Sequence, residues 1–447
     1  MRKINREKVK QLIKREQERY ISEHPKSLAL LKRAQQFYIS GVPMHWMADA
    51  PAALPPFVIE AQGSRITDVD GHTYLDMCMG GSAAISGHSP EPVVTAITRQ
   101  ATKGLTTILP TEEAIWVGEE LSHRFGLPYW QIYTTATDAN RYAIKVARHV
   151  TKRPLVLVFD GCYHGSVDES LVSVESGSQK AMGHDVIGAL PNVASRVVHF
   201  NDLDALEKAL STKDVACVLT EPALTNTGII FPVRGFHEAL REITQNFGTL
   251  LVIDETHTIT AGPGGLIREW NLKPDIYTMG KPIAGGLPAA IMGITREVAK
   301  RLNVGANFPV GMGNTLSGNP LQIAAIKANL EYVLNEANYE RMIGIANIIG
   351  DSIDAKIAEF ELPWHLARIG CRLELCYSPN LFRNYAEFEA AYDEEMDCLR
   401  RLYFANRGVW VTPVHSTVLV SAAHTSDDAS FFTRIFDEFV SDILAGS

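Results

Sequence analysis

Four short, largely apolar runs, Leu155 to Phe159, Val215 to Leu219, Leu250 to Ile253 and Ile276 to Met279, each stop on a polar or glycine-rich segment. Apolar runs of this length without alternation suit strands covered on both faces, and such strands belong to parallel sheets. Helical patterns at 203 to 210 and 236 to 247 separate them, which predicts an α/β fold with a mainly parallel sheet. Ligands of open α/β sheets bind beyond the carboxyl ends of the strands. The residues standing there are Asp160-Gly161, Glu221-Pro222, Asp254-Glu255 and Gly280-Lys281, the last followed by Gly285-Gly286.

Asp254 and Lys281, each at a strand end, can face one pocket. An acid and a lysine so placed suit pyridoxal 5'-phosphate: the lysine amine forms a Schiff base with the aldehyde, and the carboxylate holds a proton on the pyridine nitrogen. A structural aspartate and a surface lysine are the competing reading of the same pair. No G-x-G-x-x-G follows a strand, so a dinucleotide dehydrogenase, the rival on this kind of sheet, lacks its phosphate loop.

At 447 residues the chain is too long for one simple core. It predicts three stretches: amino-terminal helices with part of a small domain (1–85), a large cofactor-binding domain (86–330) and a carboxyl-terminal small α+β domain (331–447). The net charge of -9, with no basic block beyond the first helix, argues against nucleic acid as a partner. Six scattered cysteines without a C-x-x-C pair argue against a disulfide framework and against a metal site. The first residues lack the apolar core of a secretory signal, and no run nears the roughly eighteen apolar residues of a membrane span. The expected location is the cytoplasm.

Taken in order, the chain predicts two amphipathic helices over Lys8 to Phe37 broken by Pro25, then an unusually aromatic loop containing His45-Trp46. A hairpin is expected where Phe57 to Ile66 and Tyr74 to Met79 flank Asp68-Val69-Asp70-Gly71. Thr134 to Asn140 reads T-T-A-T-D-A-N and opens a helix, whose free amides and the hydroxyls of Thr135 and Thr137 can bind an anion. An ordinary hydroxyl cap accounts for the same residues. Helices are further expected over Leu321 to Leu334 and Phe388 to Asn406, and strands over Arg372 to Tyr377, Val409 to Thr412 and Val418 to Ala422.

These segments together resemble the class III aminotransferases of fold type I, in particular the glutamate-1-semialdehyde aminomutase-like and beta-amino acid aminotransferase branch, over about residues 35 to 445. The resemblance rests on the D-x-D-G hairpin, T-T-A-T-D-A-N, Phe159-x-Gly161-x-Tyr163-His164-Gly165, Glu221-Pro222, Asp254-Glu255, Gly280-Lys281, Thr315-x-Ser317-Gly318-Asn319-Pro320 and Ser421-x-Ala423-His424-Thr425. It implies a pyridoxal-phosphate fold with Lys281 and Asp254 catalytic. Thr135, Ala136 and Thr137 would cradle the phosphate, Tyr163 would stack on the ring, and Glu221 would order the neighbourhood. Thr256 would stand against the second ring face where relatives often have valine. Thr315 would reach the cofactor of the other subunit of a homodimer. Ala136 departs from the usual glycine.

The expected reaction is transamination between an amino acid or amine donor and a keto acid or ketone acceptor. An aminomutase or epimerase, a decarboxylase and an inactive paralogue are the alternatives. The substrate residues depart from the family: His45-Trp46 stand near the place of one expected arginine, and Ile259-Thr260-Ala261 replace a G-F-R. Arg372 is then the candidate for a substrate carboxylate, with pairing to Glu374 as its competing reading. His45 and Trp46 would form an aromatic wall.

Overall fold

The computed structural model describes residues 3–175, 178–181, 194–303, 311–413 and 416–445. The chain divides into two compact units. One contains Glu91–Glu336 and Phe382–Ala390; the other gathers both termini as Met1–Pro90, Ala337–Leu381 and Ala391–Ser447.

The first unit is built on a seven-stranded sheet. Its strands follow the spatial order Tyr129–Tyr133, Ala290–Ile294, Ile276–Met279, Leu250–Asp254, Val215–Thr220, Leu155–Phe159 and Ser195–Val198. All pairings are parallel except the two made by Ala290–Ile294. Every residue of Val215–Thr220, Leu250–Asp254 and Ile276–Met279 is buried. Each Leu, Ile or Val so placed contributes about 1.5–3 kcal/mol relative to exposure, which is why these strands carry no polar alternation. Helix Ala136–Thr151 covers the sheet with Ala143, Ile144, Ala147 and Val150 buried. The helices expected near 203 and 236 are Leu203–Leu210 and Phe236–Phe247. The antiparallel Ala290–Ile294 has no counterpart in the sequence reading, because five apolar residues after Gly-Gly-Leu-Pro have no period that separates strand from buried helix.

In the second unit Val58–Gln62, Arg65–Asp68, Thr73–Asp76 and Val409–Trp410 make a four-stranded sheet, and His365–Ile369, Arg372–Cys376 and Thr417–Leu419 a three-stranded one. The stretch from Phe57 to Ile66 is thus two antiparallel strands, not one arm of a hairpin. The Asp-Gly turn does join Arg65–Asp68 to Thr73–Asp76, with Asp68 Oδ1 accepting from the amides of Asp70 and His72 at 2.9 Å each. The two first helices are Arg6–Glu23 and Pro25–Ala34, with Pro25 in the first turn of the second, where its missing N–H costs nothing.

Two helices differ from expectation for local reasons. The stretch from Phe388 to Asn406 is broken into Tyr385–Ala391 and Glu394–Ala405. Asp393 accepts the amide of Met396 at 3.1 Å and restarts the chain as an N-cap. Pro320–Ala328 gives way to a π-helical turn, Asn329–Val333. There Asn329 Nδ2 donates to the carbonyls of Pro282 and Ile283, so a tertiary bond takes the side chain. Among the described residues no helix is long and apolar enough to cross a membrane.

Candidate active site

Parallel pairing sets Asp254 opposite Thr278, and the two chains leave the sheet side by side. The alignment continues past the sheet. Thr256 Oγ1 accepts the amide of Gly280 at 3.2 Å, and His257 Nε2 lies 2.5 Å from Lys281 Nζ. Lys281 takes the left-handed backbone with φ 47°, a conformation that costs a non-glycine residue about 1 kcal/mol or more and persists where surroundings impose it. Gly280, just before it, lies so close to the start of helix Ala136–Thr151 that a Cβ there would stand 2.9 Å from the Ala136 Cβ. A side chain at 280 would push the lysine-bearing turn off the helix.

Asp254 is 3 % exposed and surrounded by donors. Asn140 Nδ2 donates to its Oδ2 at 2.7 Å, and His164 Nδ1 lies 2.9 Å from the same oxygen. Thr256 donates to Oδ1 through its amide at 3.0 Å and its hydroxyl at 2.6 Å. Asn140 is itself fixed, accepting from the Thr278 hydroxyl at 2.6 Å and donating to the His164 carbonyl at 3.1 Å. Burial works against the charged carboxylate, but the His164 bond and charge and the two Thr256 bonds outweigh it, so Asp254 stays below its ordinary value. His164 shows the reciprocal effect. Burial pulls it down, while the Cys162 sulfur and the Asp254 carboxylate hold the imidazolium well above 6.5.

The anion-binding candidate is the start of helix Ala136–Thr151, sixteen residues long. Thr135 is its N-cap, and its hydroxyl oxygen accepts the Asp138 amide at 3.2 Å. The hydroxyls of Thr134 and Thr135 reach the Asp138 carboxylate at 2.6 and 3.1 Å, so these two are partly committed to the protein. Thr137 Oγ1 accepts the Ser166 amide at 3.2 Å. A Cβ at Gly165 would fall 2.2 Å from that oxygen, so glycine alone fits against the cradle. Ala136 sits at the first helical position, which alanine takes without strain. Its methyl stands where a Cβ at Gly280 would approach it to 2.9 Å.

Tyr163 is half-buried in the segment after Leu155–Phe159, and burial raises its phenol. Glu221 is buried and accepts the amide of Thr225 at 3.1 Å together with its hydroxyl. Burial raises its carboxyl, and His164 and Asp254 both act on it, so Glu221 shares their electrostatic neighbourhood. Thr256 turns its hydroxyl to Asp254. Thr315 is exposed ahead of helix Pro320–Ala328.

The remaining three candidates belong to the unit formed by the termini. His45 and Trp46 open the short 3-10 turn His45–Asp49, their rings 4.9 Å apart. Arg372 is 2 % exposed, its Nη2 lying 3.5 Å from Glu374 Oε2 and 3.3 Å from Thr417 Oγ1. The pairing with Glu374 is therefore present, and it is buried, not solvated.

Sequence reading assigned no role to Asn140, His164, His257 or Thr278. Asn140 carried a signal: it is a polar residue on the buried face of a helix otherwise lined by Ala139, Ala143, Ile144 and Ala147. The other three become visible only through the strand register and the loop after Phe159.

An ionised buried acid, a lysine at the neighbouring strand end and a helix start against which Gly165 and Gly280 pack closely fit pyridoxal phosphate. Residues 47–425 match the family model described as aminotransferase class-III. The chain belongs to the class-III aminotransferase family. Its cofactor is pyridoxal 5'-phosphate and its large domain has the type I fold. The glutamate-1-semialdehyde 2,1-aminomutase 2 of Exiguobacterium sibiricum is 33% identical over 417 residues, covering 91% of this chain and 94% of that one. A solved glutamate-1-semialdehyde-aminomutase from Pseudomonas aeruginosa PAO1 is 40% identical with TM-score 0.95, covering 99% of this chain and 100% of that one. A variant of that enzyme has been solved in complex with PMP. An omega-transaminase from Sphaerobacter thermophilus is 26% identical with TM-score 0.86, over 93% of this chain and 97% of its own.

Proposed function

We propose that this class-III enzyme is of the aminomutase kind, shifting an amino group between neighbouring carbons of one small amino aldehyde of the glutamate-1-semialdehyde class. The observation that carries this reading is the 40% identity, over nearly all of both chains, to an enzyme named for that reaction. Transamination to a separate acceptor, the first expectation from sequence, becomes the second reading.

The bound cofactor supplies an aldehyde that takes up an amino group and a ring that withdraws electrons. Asp254, held ionised by Asn140, His164 and Thr256, would keep a proton on the ring nitrogen. Lys281 would anchor the cofactor, and its Nζ is the group that would take a proton from the substrate carbon and return it. The amides at the start of helix Ala136–Thr151 hold the phosphate, with Thr135, Ala136 and Thr137 shaping the cradle. Tyr163 would cover one face of the ring, Glu221 would order the surroundings, and Thr315 would serve the site of a second copy in a homodimer. The cytoplasm is the compartment that six cysteines outside any disulfide, five of them buried, support.

The absence of arginine at Pro43 to Met47 and at Ile259 to Ala261 favours the second reading. Under it Arg372 takes the donor carboxylate, and His45 and Trp46 select an apolar or aryl side chain on an amino acid or amine, with a keto acid as acceptor. One experiment separates the two. Holoenzyme given glutamate-1-semialdehyde and no acceptor should form the isomer with its amino group on the neighbouring carbon, in many turnovers. No isomer, together with turnover of amines only when a keto acid is added, replaces the first reading by the second.

A further inference from the structure

His257 is a residue that neither the acid nor the phosphate cradle requires, yet it stands against the lysine. Strand pairing puts it there: Asp254 faces Thr278, and His257 and Lys281 each lie three residues beyond that pair. The residue is 9 % exposed, and its Nε2 is 2.5 Å from Lys281 Nζ. The left-handed backbone of Lys281 and the close approach of Gly280 to Ala136 fix the base of the lysine, so the imidazole meets a nitrogen of restricted reach.

We propose that His257 is a positioning residue for Lys281: it hydrogen-bonds the lysine nitrogen whenever that nitrogen is released from the cofactor, and keeps it at reacting distance. The proposal rests on the reading of Lys281 as the cofactor lysine. The chemistry needs no further reactant. A neutral imidazole protonated at Nδ1 presents the Nε2 lone pair, which accepts an N–H of the lysine. When Lys281 takes up a proton from a carbon, the C–H electron pair stays with the carbon, the proton joins Nζ, and one of the three ammonium hydrogens already points at His257 Nε2. Without that acceptor, a flexible four-carbon stem explores rotamers in which its nitrogen is far from the carbon it serves. A hydrogen bond to a charged group is worth about a factor of ten in rate at this step.

The test compares wild type with His257→Leu, which removes the acceptor, and His257→Gln, whose amide oxygen can take an N–H in nearly the same place. Apoprotein is mixed with pyridoxal phosphate, and the absorbance change of lysine linkage is followed. Steady-state kcat and KM are measured on the same proteins, with thermal melts as a folding control. Expected are roughly tenfold slower linkage and kcat in His257→Leu with KM little changed, and recovery to within about threefold in His257→Gln. If His257→Leu melts far below wild type, the His257→Gln and His257→Ala pair carries the comparison. Linkage and kcat alike in all folded variants overturn the proposal, as does a loss in His257→Leu that His257→Gln does not restore. Borohydride reduction and peptide mapping on each variant separate this failure from the other one. Cofactor found on Lys281 with unaltered rates sinks the role of His257 alone, and cofactor found on a different lysine sinks the reading of Lys281.

Discussion

Asp254 Oδ2 and His164 Nδ1 stand 2.9 Å apart, both almost wholly buried, and each holds the other in its charged form. A buried pair of this kind adds little net stability. Its chemical value under the proposed function is that a full negative charge survives in a water-poor pocket, where it would act on the cofactor's ring nitrogen far more strongly than in water.

Asp254→Asn tests that value. It keeps the shape and removes the charge, so kcat should fall by at least about 100-fold. Stability should fall by about 3–5 kcal/mol, so turnover is assayed on the folded, cofactor-loaded variant. Near-native kcat in a cofactor-loaded variant shows that the charge is not used.

The pair also predicts a pH dependence. His164 is raised above its ordinary 6.5, so its contribution is fully present below that pH and is lost as pH rises through the folded value. Asp254 is lowered below 3.8, so its contribution is present above that pH and is lost as pH falls through the folded value. His164→Asn keeps a polar group beside Asp254 and removes the imidazolium. Melting of the apoproteins should show wild type ahead by about 5 °C between about pH 4 and 6.5, with the gap shrinking at higher pH. A gap that widens toward alkaline pH contradicts the pairing.

Gly280 and Ala136 should be coupled. Gly280→Ala puts a methyl 2.9 Å from the Ala136 Cβ, and should weaken cofactor binding by about tenfold through displacement of the lysine turn. Adding Ala136→Gly should recover most of that loss, so that the double variant loses less than the sum of the single ones in a double-mutant cycle. Additive losses, measured by fluorescence titration of apoprotein with pyridoxal phosphate, indicate that the two sites do not touch.

Asn140→Ala removes the donor that fixes Asp254 Oδ2 and leaves the Thr278 hydroxyl without its acceptor. A destabilisation of about 1–3 kcal/mol is expected, with kcat reduced more than KM is raised. A variant that changes only KM assigns Asn140 to substrate binding instead.

The sheet and the places of Asp254 and Lys281, at and just beyond the ends of two neighbouring strands, were legible because buried parallel strands carry an unmistakable run of apolar residues. The surroundings of Asp254 were not. Asn140, His164 and Thr278 come from three separated stretches, and only the register of Leu250–Asp254 with Ile276–Met279 and the packing of helix Ala136–Thr151 bring them together. His257 illustrates the limit best: nothing local in Thr256-His257-Thr258 distinguishes it, and its place beside Lys281 follows from strand pairing alone. The break before Glu394 was readable in principle, since Asp393 ahead of Glu394-Glu395 is a capping signal, but the helical period on both sides hid it.

The most direct test of the account is where the cofactor is attached. Holoenzyme is reduced with borohydride, digested, and its labelled peptide is sequenced by mass spectrometry. The account predicts one labelled site, Lys281, and loss of both label and turnover in Lys281→Ala. Label on any other lysine, or full turnover by Lys281→Ala, contradicts it.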